Sequence, residues 1–225
     1  MTKQRILLAD DHAIVLEGMR SILEPDYEVV GEAKDGRALV EAALELRPDV
    51  IVADIAMPNL NGLEAVRQLQ KAELRAKIVF MTMHASVEFA VQAFRLGASG
   101  YLLKHDASDE LVRAIREVLN GRFYVTPSIA KDVMVALMEG QKTPHEDDEP
   151  WAKLTSRERE VLQLVAEGRK MTEIGELLHI SSRTVERHKY NLMDKLKLRS
   201  TAELTQYAIK RGVIHPAPGP SDRRA

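Results

Sequence analysis

Apolar residues follow two different spacings along the first 120 positions. Five short β-like runs, several of them nearly continuous in apolar residues, lie at Arg5–Ala9, Tyr27–Gly31, Asp49–Ala53, Lys77–Thr82 and Ser99–Leu103. A strand covered on both faces needs this pattern, because neither side of it meets water. Between the runs, apolar residues recur every three or four positions, at about 13–22, 36–46, 62–73, 86–97 and 107–119, which predicts helices. Pro48 follows the second of these segments and Gly97 ends the fourth, both ordinary stop signals. Five strand–helix units predict an α/β fold, a five-stranded doubly wound parallel sheet with helices on both faces. In such sheets ligands gather at the carboxyl ends of the strands, near the point where strand order reverses.

The pattern then changes. Residues 126–138 read as one more amphipathic helix. Residues 139–150 hold two prolines, a glycine and four consecutive acids without apolar periodicity, which predicts an exposed linker. Residues 153–211 have a helical pattern throughout, and the last eleven residues, with three prolines and a glycine, predict a disordered tail.

Charge divides the chain the same way. Residues 1–150 carry 17 Lys and Arg against 25 Asp and Glu, a net −8; residues 151–225 carry 15 against 9, a net +6. The basic part is therefore the one suited to a polyanion. The absence of cysteine excludes disulfides and thiolate metal sites and agrees with a cytoplasmic protein. No apolar stretch is long enough for a transmembrane helix, and no secretory signal is visible at the start, so no membrane partner is expected.

The strand ends hold the candidate chemistry. Asp10 and Asp11 follow the first strand, Asp54 the third, Thr82 the fourth and Lys104 the fifth. A parallel sheet gathers all five at one edge. Carboxylates a few Å apart repel one another, and a hard divalent cation relieves that cost. Mg2+ takes oxygen ligands and commonly joins one or two carboxylates to a phosphate. Lys104 adds a positive charge for a phosphoryl oxygen, and Thr82 a hydroxyl donor. Together they describe a carboxylate nucleophile that accepts a phosphoryl group.

The segments LLADDH, DIAMPNLNG, MTMH and GYLLK resemble the receiver domain of two-component response regulators, over residues 1–122. That resemblance implies a flavodoxin-like fold, with Asp54 as phosphoacceptor and a sensor histidine kinase as phosphoryl source. It implies that Asp10, Asp11, Asp54 and the backbone carbonyl of Ala56 hold Mg2+. It makes Thr82 and Tyr101 a switching pair, the ring moving into space vacated by Thr82, and Lys104 the family's invariant lysine. Pro58 and Gly62 shape the loop after the acceptor, while Asn61 stands where the family often has Asp. Ala56 and His84 flank the path of water to an acyl phosphate; His84 either orients that water, blocks it, or is a solvated residue without a role.

In the basic part, Thr155 and Glu158 predict a capping box for a helix that stops at Gly168. A short helix at Thr172–Leu178, a turn at His179–Ser181 and a longer helix from Ser182 follow, then a helix opened by Ser200 and Glu203. Two helices joined by a short turn, the second with a basic face, fit a helix-turn-helix that enters the major groove; a generic four-helix unit with a solvated basic face is the alternative. The runs LTSREREVLQLVAEG, EIGELLHIS, RTVERH and NLMDKL resemble the LuxR-type helix-turn-helix, over residues 153–212. Receiver followed by this domain is the order of the NarL/FixJ family, with residues 123–152 as linker and 213–225 as tail. By position, Glu186, Arg187 and Tyr190 face base edges, and Arg183, Thr184, Lys189 and Arg199 face phosphates. Glu186 has the alternative of pairing with a basic neighbour, and His188 is expected to pack. Lys170-Met171 departs from the small polar residues that usually open the family's second helix.

The resulting expectation is a non-enzymatic regulator that binds double-stranded DNA and dimerises on phosphorylation. A haloacid-dehalogenase-type phosphatase would need a second acid where Ala56 stands. A constitutive DNA-binding protein with a non-switching receiver would have no use for the full acidic set.

Overall fold

The computed structural model describes residues 3–83, 85–139 and 150–214, the side chains of 107–109 and 139 excepted. His84, the linker core at 140–149 and the tail from 215 onward lie outside the described residues. The chain divides into two units, Met1–Pro144 and His145–Ala225.

The first unit runs β1 (Arg5–Ala9), α1 (Ala13–Leu23), β2 (Glu28–Ala33), α2 (Gly36–Leu46), β3 (Val50–Ala53), α3 (Gly62–Lys71), β4 (Lys77–Thr82), α4 (Val87–Arg95), β5 (Gly100–Leu103), α5 (Ala107–Leu119), β6 (Tyr124–Val125) and α6 (Pro127–Glu139). All strands pair in parallel in the order β2-β1-β3-β4-β5-β6. Side chains alternate across the sheet, which explains the continuous apolar runs. Ile6, Leu8, Val50, Val52, Val79, Met81 and Leu102 face α1 and α5. Leu7, Ala9, Ile51, Ala53, Phe80, Tyr101 and Leu103 face the opposite layer of α2, α3 and α4. Both layers are apolar, so each fully buried aliphatic side chain contributes about 1.5–3 kcal/mol relative to exposure.

The sheet has six strands where the sequence predicted five. β6 is two residues long, too short to leave a period-two signature, and it pairs Tyr124 and Val125 with Gly100 and Tyr101 of β5. The helix expected at 126–138 is α6; Ile129 and Val133 bury in the first core and the helix packs against α4. Residues 124–139, expected as the start of a linker, are therefore part of the first unit.

The second unit contains α7 (Ser156–Ala166), α8 (Met171–Leu178), α9 (Ser182–Leu196) and α10 (Thr201–Lys210) around one apolar cluster. The Thr155–Glu158 box has both halves: Glu158 N donates to Thr155 Oγ1 at 3.2 Å and Thr155 N to Glu158 Oε2 at 2.8 Å. At α8 only half a box is chemically possible, because the Lys170 ammonium has no lone pair to offer; Glu173 Oε2 accepts from Lys170 N at 3.1 Å. The C-terminal boundary expected at 212 moves outward. Gly212 adopts φ +57° and Val213 N donates to Ala208 O at 2.9 Å, a Schellman end that folds the Val213 side chain back into the core, where it is buried.

One glycine fixes where α2 meets the loop after β3. A Cβ on Gly36 would lie 2.0 Å from the Leu60 carbonyl oxygen, a backbone atom with no freedom to step aside. Helix propensity favours Ala over Gly by about 1 kcal/mol, and a backbone clash of this depth exceeds that. Gly36→Ala is expected to destabilise the first unit by about 1–3 kcal/mol, read from calorimetric unfolding; a stabilised variant contradicts this packing.

Candidate functional site

β1 and β3 are neighbours, and the chain leaves them toward opposite edges of the sheet, so the switch point lies between their carboxyl ends. Asp10 and Asp54 are the residues there. Their amides complete the ladder, Asp10 N donating to Ala33 O at 3.0 Å and Asp54 N to Ala9 O at 2.8 Å. Both side chains are buried. Lys104, in a 3-10 turn after β5, places Nζ 2.6 Å from Asp10 Oδ2 and 2.6 Å from Asp54 Oδ2. Two carboxylates removed from water would each carry a large desolvation cost, and one ammonium between them offsets much of it. Burial pushes the Asp54 carboxyl above its ordinary range, with Lys104 pulling it part of the way back. Burial also works against the Lys104 charge, but the attraction of Asp54 and Asp10 outweighs it and raises the ammonium.

Asp11 is partly exposed beside this cluster, and His12 Nδ1 lies 2.8 Å from Asp11 Oδ1 and 3.3 Å from Asp10 Oδ1. Asp54 Oδ1 accepts from the amides of Ile55 at 2.6 Å and Ala56 at 3.4 Å. The donor set suits Mg2+: Asp10, Asp11 and Asp54 offer hard oxygens and more negative charge than Lys104 neutralises. Thr82 and Tyr101 are both buried, on adjacent paired strands. The Tyr101 phenol is pushed up by burial and by the charge on Asp54. The Tyr101 ring lies in the interior in this conformation.

Two buried polar residues, Thr126 and Asn61, hold the backbone beside the site. Thr126 is buried after β6; its N donates to Tyr101 O and its Oγ1 accepts from Leu103 N, each at 3.0 Å. Asn61, read only as a departure, caps α3 by accepting from Glu64 N at 2.9 Å. Asn61 followed three residues later by Glu64 at the start of a helical pattern is a cap signal of the usual kind; Thr126, ahead of Pro127, has no such cue for its tertiary bonds.

The second unit presents a different surface. A three-residue connection, His179–Ser181, joins α8 to α9, and Ser181 Oγ accepts from Thr184 N at 3.1 Å. Val185, Leu192 and Leu196 bury, leaving Arg183, Glu186, Arg187 and Tyr190 together on the exposed face at helical spacing. Glu186 has no ion pair among the described residues, so its side chain is not committed to a basic neighbour. Thr184 shares a 2.8 Å hydroxyl contact with Ser181, and Lys189 Nζ donates to Thr201 Oγ1 at 2.8 Å. Arg199 is exposed, with its amide donating to Glu203 at 2.8 Å. His188 is half-buried, its imidazole pushed down by burial and then by Arg157. Lys195 anchors α9 to α7 through Glu158 Oε2 at 2.7 Å.

Removing Lys104 tests the electrostatic account. Lys104→Met leaves two buried carboxylates facing each other and is expected to cost the first unit about 3–5 kcal/mol at neutral pH. The folded Asp54 holds its proton more tightly than the unfolded chain, so the penalty is smallest at acid pH and grows as pH rises through that raised value. A pH series of calorimetric melts without divalent cations checks this; a pH-independent penalty contradicts it.

Comparison with known proteins agrees with this arrangement. Residues 6–116 match the response regulator receiver domain, and residues 152–208 match the luxR family of bacterial regulatory proteins. The response regulator UvrY of Escherichia coli K12 is 36% identical over 212 residues, 93% of this chain and 95% of that protein. The oxygen regulatory protein NreC of Staphylococcus epidermidis is 35% identical over 215 residues, 93% and 99% of the two chains. Among solved structures, RcsB from Salmonella enterica serovar Typhimurium, bound to a promoter with the phosphomimetic BeF3-, is 28% identical, with 92% and 98% of the chains covered and a TM-score of 0.59. A LuxR-family response regulator from Aurantimonas is 40% identical over 61% of this chain and all of that one, with a TM-score of 0.58. The chain belongs to the NarL/FixJ family of two-component response regulators, with a receiver domain followed by a LuxR-type DNA-binding domain.

Proposed function

We propose that a sensor histidine kinase transfers a phosphoryl group to Asp54, and that this switches homodimerisation and sequence-specific binding of double-stranded DNA to regulate transcription in the cytoplasm. The observation that carries the reading is the single ammonium of Lys104 held between two buried carboxylates at the switch point of the sheet. Asp54 supplies the attacking carboxylate oxygen; the P–N bond to the kinase imidazole breaks, and the imidazole leaves with the electron pair. Asp10, Asp11, Asp54 and the Ala56 carbonyl are the residues assigned to Mg2+, which supplies charge neutralisation for the transferred group. Lys104, freed from part of its pairing, turns its charge toward a phosphoryl oxygen, and Thr82 donates its hydroxyl to another.

Tyr101 and Thr126 extend from that site to the edge of the sheet through β5 and β6. On the second unit, Glu186, Arg187 and Tyr190 are assigned to base edges, and Arg183, Thr184, Lys189 and Arg199 to phosphates. The Salmonella RcsB relative, solved on promoter DNA with a phosphomimetic, supports coupling these two halves in one function. No helix among the described residues is long and apolar enough to cross a membrane.

The decisive comparison is selection from random DNA pools, with and without a small-molecule phosphodonor and Mg2+, for the unmutated chain and Asp54→Ala. The donor is expected to tighten binding only where Asp54 is present; equal binding by both proteins points to a constitutive regulator. On the enriched site, Arg187→Ala is expected to lose about 1–3 kcal/mol of discrimination against a changed base pair, with phosphorylation unaffected; an equal loss on every sequence would make Arg187 a phosphate contact instead.

A further inference from the structure

We infer that Asn59 and Asp35 form a tether that positions the loop after the phosphoacceptor and so sets how tightly the acidic site holds its divalent cation. This rests on the proposed function, which gives the Ala56 carbonyl to the metal.

A backbone ligand has no rotamers of its own, so only the loop that carries it can place it. That loop, residues 55–61, is pinned along its length. Gly62 N donates to Ile55 O at 2.7 Å and closes its base. Leu60 N donates to Pro58 O at 2.7 Å, making a tight turn with Asn59 at its apex, φ +64°. From that apex Asn59 Nδ2 donates to Asp35 Oδ2 at 3.0 Å. The other oxygen of the same carboxylate, Oδ1, caps α2 by accepting from Arg37 N at 2.8 Å and Ala38 N at 2.9 Å. One carboxylate thus ties the apex of the loop to the first turn of α2, an element that contributes no residue to the acidic cluster. The same contact line includes the Leu60 carbonyl pressed against Gly36.

The loop also reaches the nucleophile, because the amides of Ile55 and Ala56 donate to Asp54 Oδ1. Releasing the apex therefore loosens two groups assigned to the metal at once: the Ala56 carbonyl and the orientation of the Asp54 carboxylate. Mg2+ demands near-octahedral placement and tolerates displaced ligands poorly. Asn59 and Asp35 are positioning residues; neither touches the reacting atoms.

Two substitutions separate this role from a merely structural one. Asn59→Gly removes the amide while keeping a residue at ease with positive φ, where Ala would be strained. Asp35→Ser keeps a competent helix cap but lacks the second oxygen. Titration calorimetry of the full chain with Mg2+, and melting without it, is run on the unmutated protein, both variants and the double variant. Each single variant is expected to weaken Mg2+ binding about 10-fold, the lower end for groups that orient metal ligands. Melting should move by no more than about 4 °C. The double variant should be no weaker than either single one, since both remove the same bond. Unchanged Mg2+ affinity in the variants overturns the inference, as do additive effects or a loss of affinity that tracks a large loss of stability. Failure of the unmutated chain to bind Mg2+ overturns the proposed function itself, a result distinguishable from the others.

Discussion

Two buried carboxylates share one ammonium at the carboxyl edge of this sheet, and most of the first unit can be understood as the means of keeping them there. Asp10 and Asp54 cannot sit dry and side by side without Lys104 at 2.6 Å from each. The strand order that makes β1 and β3 neighbours supplies the proximity, and the turn after β5 supplies the cation from two strands away. The arrangement still carries net negative charge once Asp11 is counted. The proposed divalent cation, and a phosphoryl group held by it, would complete that balance.

Rigidity around this cluster comes from backbone as much as from side chains. The amides of Asp10 and Asp54 remain in the ladder, so their side chains leave the sheet at fixed points. The loop after Asp54 is held by its own short turn, by the Asp35 carboxylate and by the close approach of Gly36. On the far side of the sheet edge, Thr126 brackets the backbone of Tyr101 and Leu103, which attaches β6 and α6 directly to the strand beside the acidic site. The second unit solves a simpler problem. A cluster of aliphatic residues and a Lys195–Glu158 contact hold α9 so that its polar face stays outward.

The parts legible in the sequence are those with a strong local signature. Five runs became β1 to β5; in β1, β3, β4 and β5 burial on both faces leaves few polar positions to confuse the pattern, while the edge strand β2 is only partly buried. Asp10, Asp54 and Lys104 are legible as a group, because a parallel sheet brings strand ends to one edge. The rest depended on tertiary contacts that leave little trace. β6 is a two-residue strand that exists because β5 offers an edge, and Val213 looks like the start of a tail until Gly212 turns it back. Asn59 reads as an ordinary turn residue, and its bond to a residue 24 positions earlier follows only from the packing of α2 beneath the loop. The buried ring of Tyr101 likewise required the structure, since its residue type is compatible with either side of a switch.

The account stands on Asp54 being a nucleophile that the surrounding charges have prepared. The most direct measurement is intact-mass and peptide mapping of the full chain after exposure to a small-molecule phosphodonor, with and without Mg2+. One base-labile phosphoryl group on Asp54, appearing only with the metal, is the predicted result. An unmodified chain, or a phosphoryl group on another residue, would contradict it.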